Sequence, residues 1–247
     1  MQEALTAQTI SMTVAAGDEI EAYLARPQGS GPFGSVVVIH HMPGYDSSTK
    51  EITRKFAAHG YAALMPNLYH RDAPGASPDD AAATARAKGG VPDERLVADV
   101  GAAAAYLRAL DGSNGKVGVI GYCSGGRQSF LAACSLQLDA AVDCYGAAIV
   151  NPPPAASPLK VTPIVGLAKD LSCPLLGLFG VEDKMPSPDE TAALAKVLDG
   201  LSKPHEFHTF EDAGHSFFAV DRPAYRVAAA NEGWEKIWDF YGRYLAG

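Results

Sequence analysis

The sequence predicts an α/β fold: a mostly parallel central sheet with helices on both faces. Three observations carry this. The apolar runs "SVVVIH" (Ser35 to His40), "KVGVIGY" and "PLLGLFG" are continuous rather than alternating, as in strands buried on both faces. Helical patterns separate them, which is the signature of strand–helix–strand units. The chain has 247 residues and is 47% hydrophobic, enough for one large core, so a single domain over residues 1–247 is expected.

The elements follow in order. "EIEAYLARP" alternates apolar and polar residues, as an antiparallel edge strand does. After the strand at Ser35, "SSTKEITRKFAAHG" reads as a helix. Ser47 and Ser48 are its candidate caps, and Ile52, Phe56 and Ala57 recur at helical spacing. "YAALMP" is the next strand. A loop-like stretch with a short alanine-rich helix around Asp79 to Lys88 precedes the helix "ERLVADVGAAAAYLRAL". "KVGVIGY" is a strand, and a helix begins at Ser124. "LDAAVDCYG" and "PLLGLFG" are two further strands. "SPDETAALAKVLDG" is a helix with an acidic first turn, which suits the helix dipole. "HEFHTFE" alternates as a strand, and Tyr225 to Leu245 closes the chain as a helix. The proline-rich "NPPPAASPLKVTP" (Asn151 to Pro163) reads as an excursion at the strand ends, forming a rim or lid.

Composition excludes several classes. The net charge is -8 with no basic run, which argues against nucleic acid and anionic membrane as partners. No apolar stretch reaches the roughly 20 residues that span a bilayer. "MQEALTAQTISM" has neither the basic start nor the apolar run of a signal peptide, so a cytoplasmic location is expected. The four cysteines form no C-x-x-C pair, which argues against a disulfide framework and a zinc site. His40 and His41 are adjacent on a strand and point to opposite faces, so they do not suit one metal ion. His41 is expected toward the pocket and His40 in packing. No metal and no cofactor is called for. Nothing sets the oligomeric state, and a monomer is the default expectation.

The chemistry concentrates in "GVIGYCSGGRQ". Gly121 and Gly125 flank Cys123 at a strand-to-helix crossing. A nucleophile on such a sharp turn needs small neighbours, hence the pattern G-x-S-x-G in hydrolases, here with Cys in place of Ser. The following helix points its amides at the site, which favours a thiolate. In the α/β-hydrolase fold the acid and the histidine follow the nucleophile along the chain. Asp183 lies just after "PLLGLFG" and His215 just after "HEFHTFE", both at carboxyl ends of strands. Asp143 in "VDCYG" also ends a strand and is the alternative acid; Glu182 is less well placed than Asp183. His59, His205 and His208 are read as structural. The oxyanion donors are expected to be the backbone amides of Ser124 and Met42, since Pro43 has no N–H.

With these motifs together ("GYCSGGR", "GVEDKMP", "EDAGHSFF" and "GYAALMPNLYHRDAPG") the sequence resembles the dienelactone hydrolase (carboxymethylenebutenolidase-like) family, from about Val36 to Phe240. The resemblance implies the α/β-hydrolase fold, a Cys123–His215–Asp183 triad and a small ester or lactone substrate that is anionic in the family. It implies that Arg71, in "LYHR", helps bind the substrate carboxylate. Two positions depart from the family pattern. His41 stands where the family has a glutamate that tunes the thiol. Ala219 stands where a second substrate arginine is expected, with Arg222 nearby in sequence. The competing readings are a carboxylesterase or thioesterase, and a non-catalytic binding protein on the same scaffold.

Overall fold

The computed structural model describes residues 4–14 and 17–246. The first three residues of the amino-terminal stretch read above lie outside them. One eight-stranded sheet runs through the molecule. Its strands are β1 (Leu5–Thr13), β2 (Glu19–Pro27), β3 (Phe33–Ile39), β4 (Ala62–Pro66), β5 (Ser113–Tyr122), β6 (Ala140–Cys144), β7 (Leu175–Gly180) and β8 (His205–Phe210). Their spatial order is β1-β2-β4-β3-β5-β6-β7-β8. From β4 to β8 every pairing is parallel, while β1 and β2 join antiparallel. This is an α/β-hydrolase fold.

The helices are α1 (Ser47–Ala58), α2 (Pro78–Lys88), α3 (Asp93–Arg108), α4 (Ser124–Ser135), α5 (Pro188–Gly200) and α6 (Val227–Leu245). Successive residues of β3 serve opposite faces. Val36 and Val38 pack with Phe56 of α1 and Trp234 and Ile237 of α6. Val37 and Ile39 pack with Leu96 and Val100 of α3 and Phe130 of α4. A continuous apolar run is therefore what a strand covered on both sides requires. Among the described residues no helix is long and apolar enough to cross a membrane.

Three readings change in detail. The strand Glu19–Pro27 is antiparallel but is not the edge, because β1 pairs along its whole length. β1 reads "LTAQTISMT", largely exposed, and offered no apolar run to reveal it. The cap of α1 is Asp46 rather than Ser47 or Ser48; its carboxylate accepts from the Thr49 amide at 2.8 Å. A short 3-10 helix, Val165–Asp170, was not foreseen. The consequence of the topology is positional: the carboxyl ends of β3, β5, β6, β7 and β8 lie side by side, and the loops that leave them meet over one edge of the sheet.

Candidate active site

Cys123 sits between β5 and α4 with φ 57° and ψ -119°, a backbone conformation that costs an ordinary L-residue about 1–3 kcal/mol. The surrounding glycines make it possible. A Cβ on Gly121 would lie 1.8 Å from the Gly125 carbonyl oxygen, and one on Gly125 would lie 2.7 Å from the Ile39 carbonyl oxygen. The Cys123 amide donates to the Cys144 carbonyl at 3.0 Å, and its carbonyl accepts from Gly126 at 2.9 Å. The turn is thus pinned at both ends, with the thiol displayed above the sheet.

Two loops bring the partners. His215 Nε2 is 3.0 Å from Cys123 Sγ, and its Nδ1 is 2.9 Å from Asp183 Oδ2. Asp183 is buried, and its other oxygen accepts from the Met185 amide at 2.9 Å. Burial opposes a charge on His215, but its hydrogen bonds to Asp183 and Cys123 outweigh this and raise the imidazole to about 10. With Nδ1 bonded to Asp183, Nε2 is the ring atom that exchanges a proton with the thiol. The thiol, imidazole and carboxylate form one continuous relay. Asp143 is not in it: it lies buried below, and His215 bonds to Asp183 instead. Glu182 is exposed. The other three cysteines are buried, which pushes Cys134 and Cys173 up to about 12 and raises Cys144 as well.

Cys123 and His215 open onto a cleft of about 680 Å³, counting its mouth. Met42 and Ser124 line it beside the thiol, and among the described residues neither amide has a protein acceptor. The walls are largely apolar. Leu68 and Tyr69 close one side; Pro153, Leu159 and Val161 of the proline-rich segment close another, so that segment is a rim. Residues 70–77 do not line it.

Two further placements correct the expectations for substrate-facing residues. His40, not His41, faces the cleft. His40 Nδ1–H donates to the His41 carbonyl at 2.9 Å and Nε2 accepts from the Leu68 amide at 3.3 Å. Burial lowers the His40 pKa to about 4, so it is neutral and structural. His41 turns away, and its Nε2 bonds Asp46 at 2.8 Å. Burial by itself would raise the Asp46 carboxyl, but hydrogen bonds from His41 and Thr49 outweigh it and hold it at about 2. His41 instead lines a small side cavity with Ala219 and Tyr122. The two side chains part just past the end of β3 at Ile39, where Asp46 takes the His41 ring.

Arg71 does not line the cleft either. Its guanidinium grips Asp99 of α3 at 2.9 and 2.7 Å and Asp18 at 2.9 Å. Asp99 is fully buried and takes the arginine as its counter-ion, a demand that no local pattern reveals. Arg127, within the cleft wall, is equally engaged, bidentate to Asp93 and bonded to the Thr162 carbonyl. Arg222 is exposed. A residue that sequence reasoning passed over is Arg86 of α2. It is half-buried, has no ion-pair partner among the described residues, and its charge reaches the hydroxyl of Tyr69 in the cleft wall. Its signal was present: a cation on the helix that follows the Leu68–Tyr69 loop.

The sequence and the fold are similar to those of known proteins. Residues 20–245 match the Dienelactone hydrolase family. The chain belongs to that family. An Escherichia coli protein named "Putative carboxymethylenebutenolidase" is 33% identical over 234 residues, which cover 92% of this chain and 84% of that one. A carboxymethylenebutenolidase of Pseudomonas putida is 31% identical over 215 residues, 85% of each chain. Among solved structures, a Klebsiella pneumoniae protein described as a "Putative Dienelactone Hydrolase" superposes with a TM-score of 0.86 at 28% identity, covering 98% of this chain and all of the other. The chain is accordingly a hydrolase.

Proposed function

We propose that this single-domain hydrolase cleaves a small ester or enol-lactone through an acyl-enzyme on Cys123. The observation that supports this most directly is the relay from Asp183 through His215 to a thiol held on a strained elbow at the floor of the cleft. His215 Nε2 takes the thiol proton. The sulfur attacks the substrate carbonyl, and the Met42 and Ser124 amides receive the oxyanion. Collapse of the intermediate breaks the C–O bond to the alcohol, which leaves with the proton from His215 Nε2. The product is a thioester. A water molecule then gives a proton to His215 and its hydroxide to the thioester carbonyl, releasing the acid and returning the thiol. Asp183 holds the imidazole in the required tautomer throughout.

The cleft's apolar walls suit a compact acyl or alkoxy group. Arg86 does not itself line the cleft, but its charge is felt at Tyr69 in the wall, and it is the cation we assign to an anionic group of the substrate. The name of the Pseudomonas putida relative makes an enol-lactone the first substrate to test.

The test is acyl-enzyme trapping. Brief reaction with an aryl ester or dienelactone, acid quenching and mass spectrometry should add one acyl group, mapped to Cys123. Cys123→Ala should lose turnover by at least about a thousandfold, as removal of a triad member does. Iodoacetamide should label Cys123 ahead of the three buried thiols. Wild-type turnover in Cys123→Ala would refute the reading.

A further inference from the structure

Asp143 is a buried carboxyl that the relay does not use. It ends β6 and is fully buried. One oxygen, Oδ1, accepts from the Gly146 amide at 2.7 Å; Oδ2 has no partner among the described residues. A buried polar atom without a partner is costly to keep, so its retention needs a reason.

The chain is built around it. A Cβ on Gly126, in the first turn of the nucleophile helix, would lie 2.3 Å from Asp143 Oδ1. A Cβ on Gly146 would lie 2.4 Å from the same atom. Both glycines make room for the carboxyl, which explains the second glycine of "SGGR". The carboxyl caps a strained turn. Tyr145 and Ala148 both have positive φ, 45° and 60°, although neither is glycine. Asp143 holds the amide between them.

That turn reaches the histidine. The Tyr145 ring meets the His215 imidazole edge-on, with centroids 5.2 Å apart. The Tyr145 ring also packs on Phe217 and Phe218, two and three residues beyond His215 in the same loop, with centroids 5.3 and 6.3 Å away. On the other side, Ala147 and Ala148 enter the cleft wall. Burial raises the Asp143 carboxyl to about 7, against the Gly146 hydrogen bond and the charge of His215.

We propose that Asp143 is a positioning residue: by accepting from Gly146 it sets the Tyr145 turn, and through Tyr145 it holds the His215 loop against the Cys123 thiol. The inference rests on the proposed role of that thiol. It is not a second acid for the relay, because Asp183 occupies the Nδ1 side of His215.

The experiment compares Asp143→Ala, Asp143→Asn and Tyr145→Leu with Cys123→Ala as control, on an aryl ester. Folding is checked by circular dichroism. Asp143→Ala should lower kcat by about tenfold or more, with KM changed less than about threefold, as a displaced catalytic group does. Alkylation of Cys123 by iodoacetamide at pH 7 should slow in parallel. Asp143→Asn, whose amide oxygen still accepts from Gly146, should recover most of both. Tyr145→Leu, which keeps an apolar side chain and removes the ring packed on His215 and Phe217, should show a fall of the same kind, and it stands in if Asp143→Ala does not fold. Wild-type kcat and alkylation in a folded Asp143→Ala or in a folded Tyr145→Leu would overturn the inference. So would equal losses in the alanine and asparagine variants. If Cys123→Ala itself keeps full activity, the proposed function fails instead.

Discussion

His40 and His41 are adjacent in the chain and serve opposite sides of the nucleophile. His40 is neutral, locked between the His41 carbonyl and the Leu68 amide under the cleft. His41 is turned outward onto Asp46, the cap of α1. The residue that stands in place of the family glutamate therefore does not touch the thiol.

His41→Gln should accordingly leave kcat on an aryl ester within about threefold, the scale of effects remote from the reacting atoms. Steady-state kinetics check this. A tenfold loss would place His41 in the chemistry after all.

Asp46 holds two things at once, the α1 amide of Thr49 and His41. Asp46→Ala should cost about 1–2 kcal/mol of stability, the usual loss for a helix cap. Its carboxyl is held near 2 in the folded chain, below its unfolded value. The stability it contributes is thus present above about pH 4 and lost as pH falls toward 2. Urea melts of wild type and Asp46→Ala should converge over that window.

The two arginines should separate cleanly. Arg71→Ala leaves Asp99 buried and unpaired, and should lower stability by about 3 kcal/mol. Its effect on substrate KM should be the same for charged and neutral esters. Arg86→Ala should leave the melting temperature near wild type and raise KM for a 4-nitrophenyl hemisuccinate by about tenfold, with little change for the uncharged 4-methylpentanoate. Equal effects on both esters would remove Arg86 from substrate recognition.

Asp143 has its own pH signature. Its folded carboxyl lies near 7, above the unfolded value near 4. The folded state therefore binds the extra proton, and the contribution is complete below pH 4 and lost as pH rises through 7. Asp143→Asn has no such titration. Its melting temperature relative to wild type should rise steadily from pH 4 to pH 8, measured by thermal melts. A constant difference would mean that Asp143 is ionised throughout.

Much of the site was legible because its chemistry leaves local marks. Gly121 and Gly125 announce the elbow, since backbone passes where a Cβ would go. Asp183 and His215 each follow a strand in the order the fold demands. The alternation of Glu19–Pro27 revealed an antiparallel strand. What hid was whatever left only a weak local mark: β1, whose alternation is confined to Ile10 and Met12, and the cap at Asp46, one residue before the serines. The roles of Arg71 and Arg86 were hidden for a different reason. A guanidinium six bonds long takes whichever carboxylate folding brings near, and Asp99 lies 28 positions further along the chain.

The sequence alone therefore determined the fold class and singled out Cys123, Asp183 and His215, the three residues the structure brings together, because strand order and glycine sterics constrain them to fixed places along the chain. The tertiary structure decided which histidine faces the cleft, which arginine is consumed by a buried aspartate, and what Asp143 supports. Those outcomes depend on side chains from separate elements competing for the same partner, and that competition exists only once the sheet has assembled.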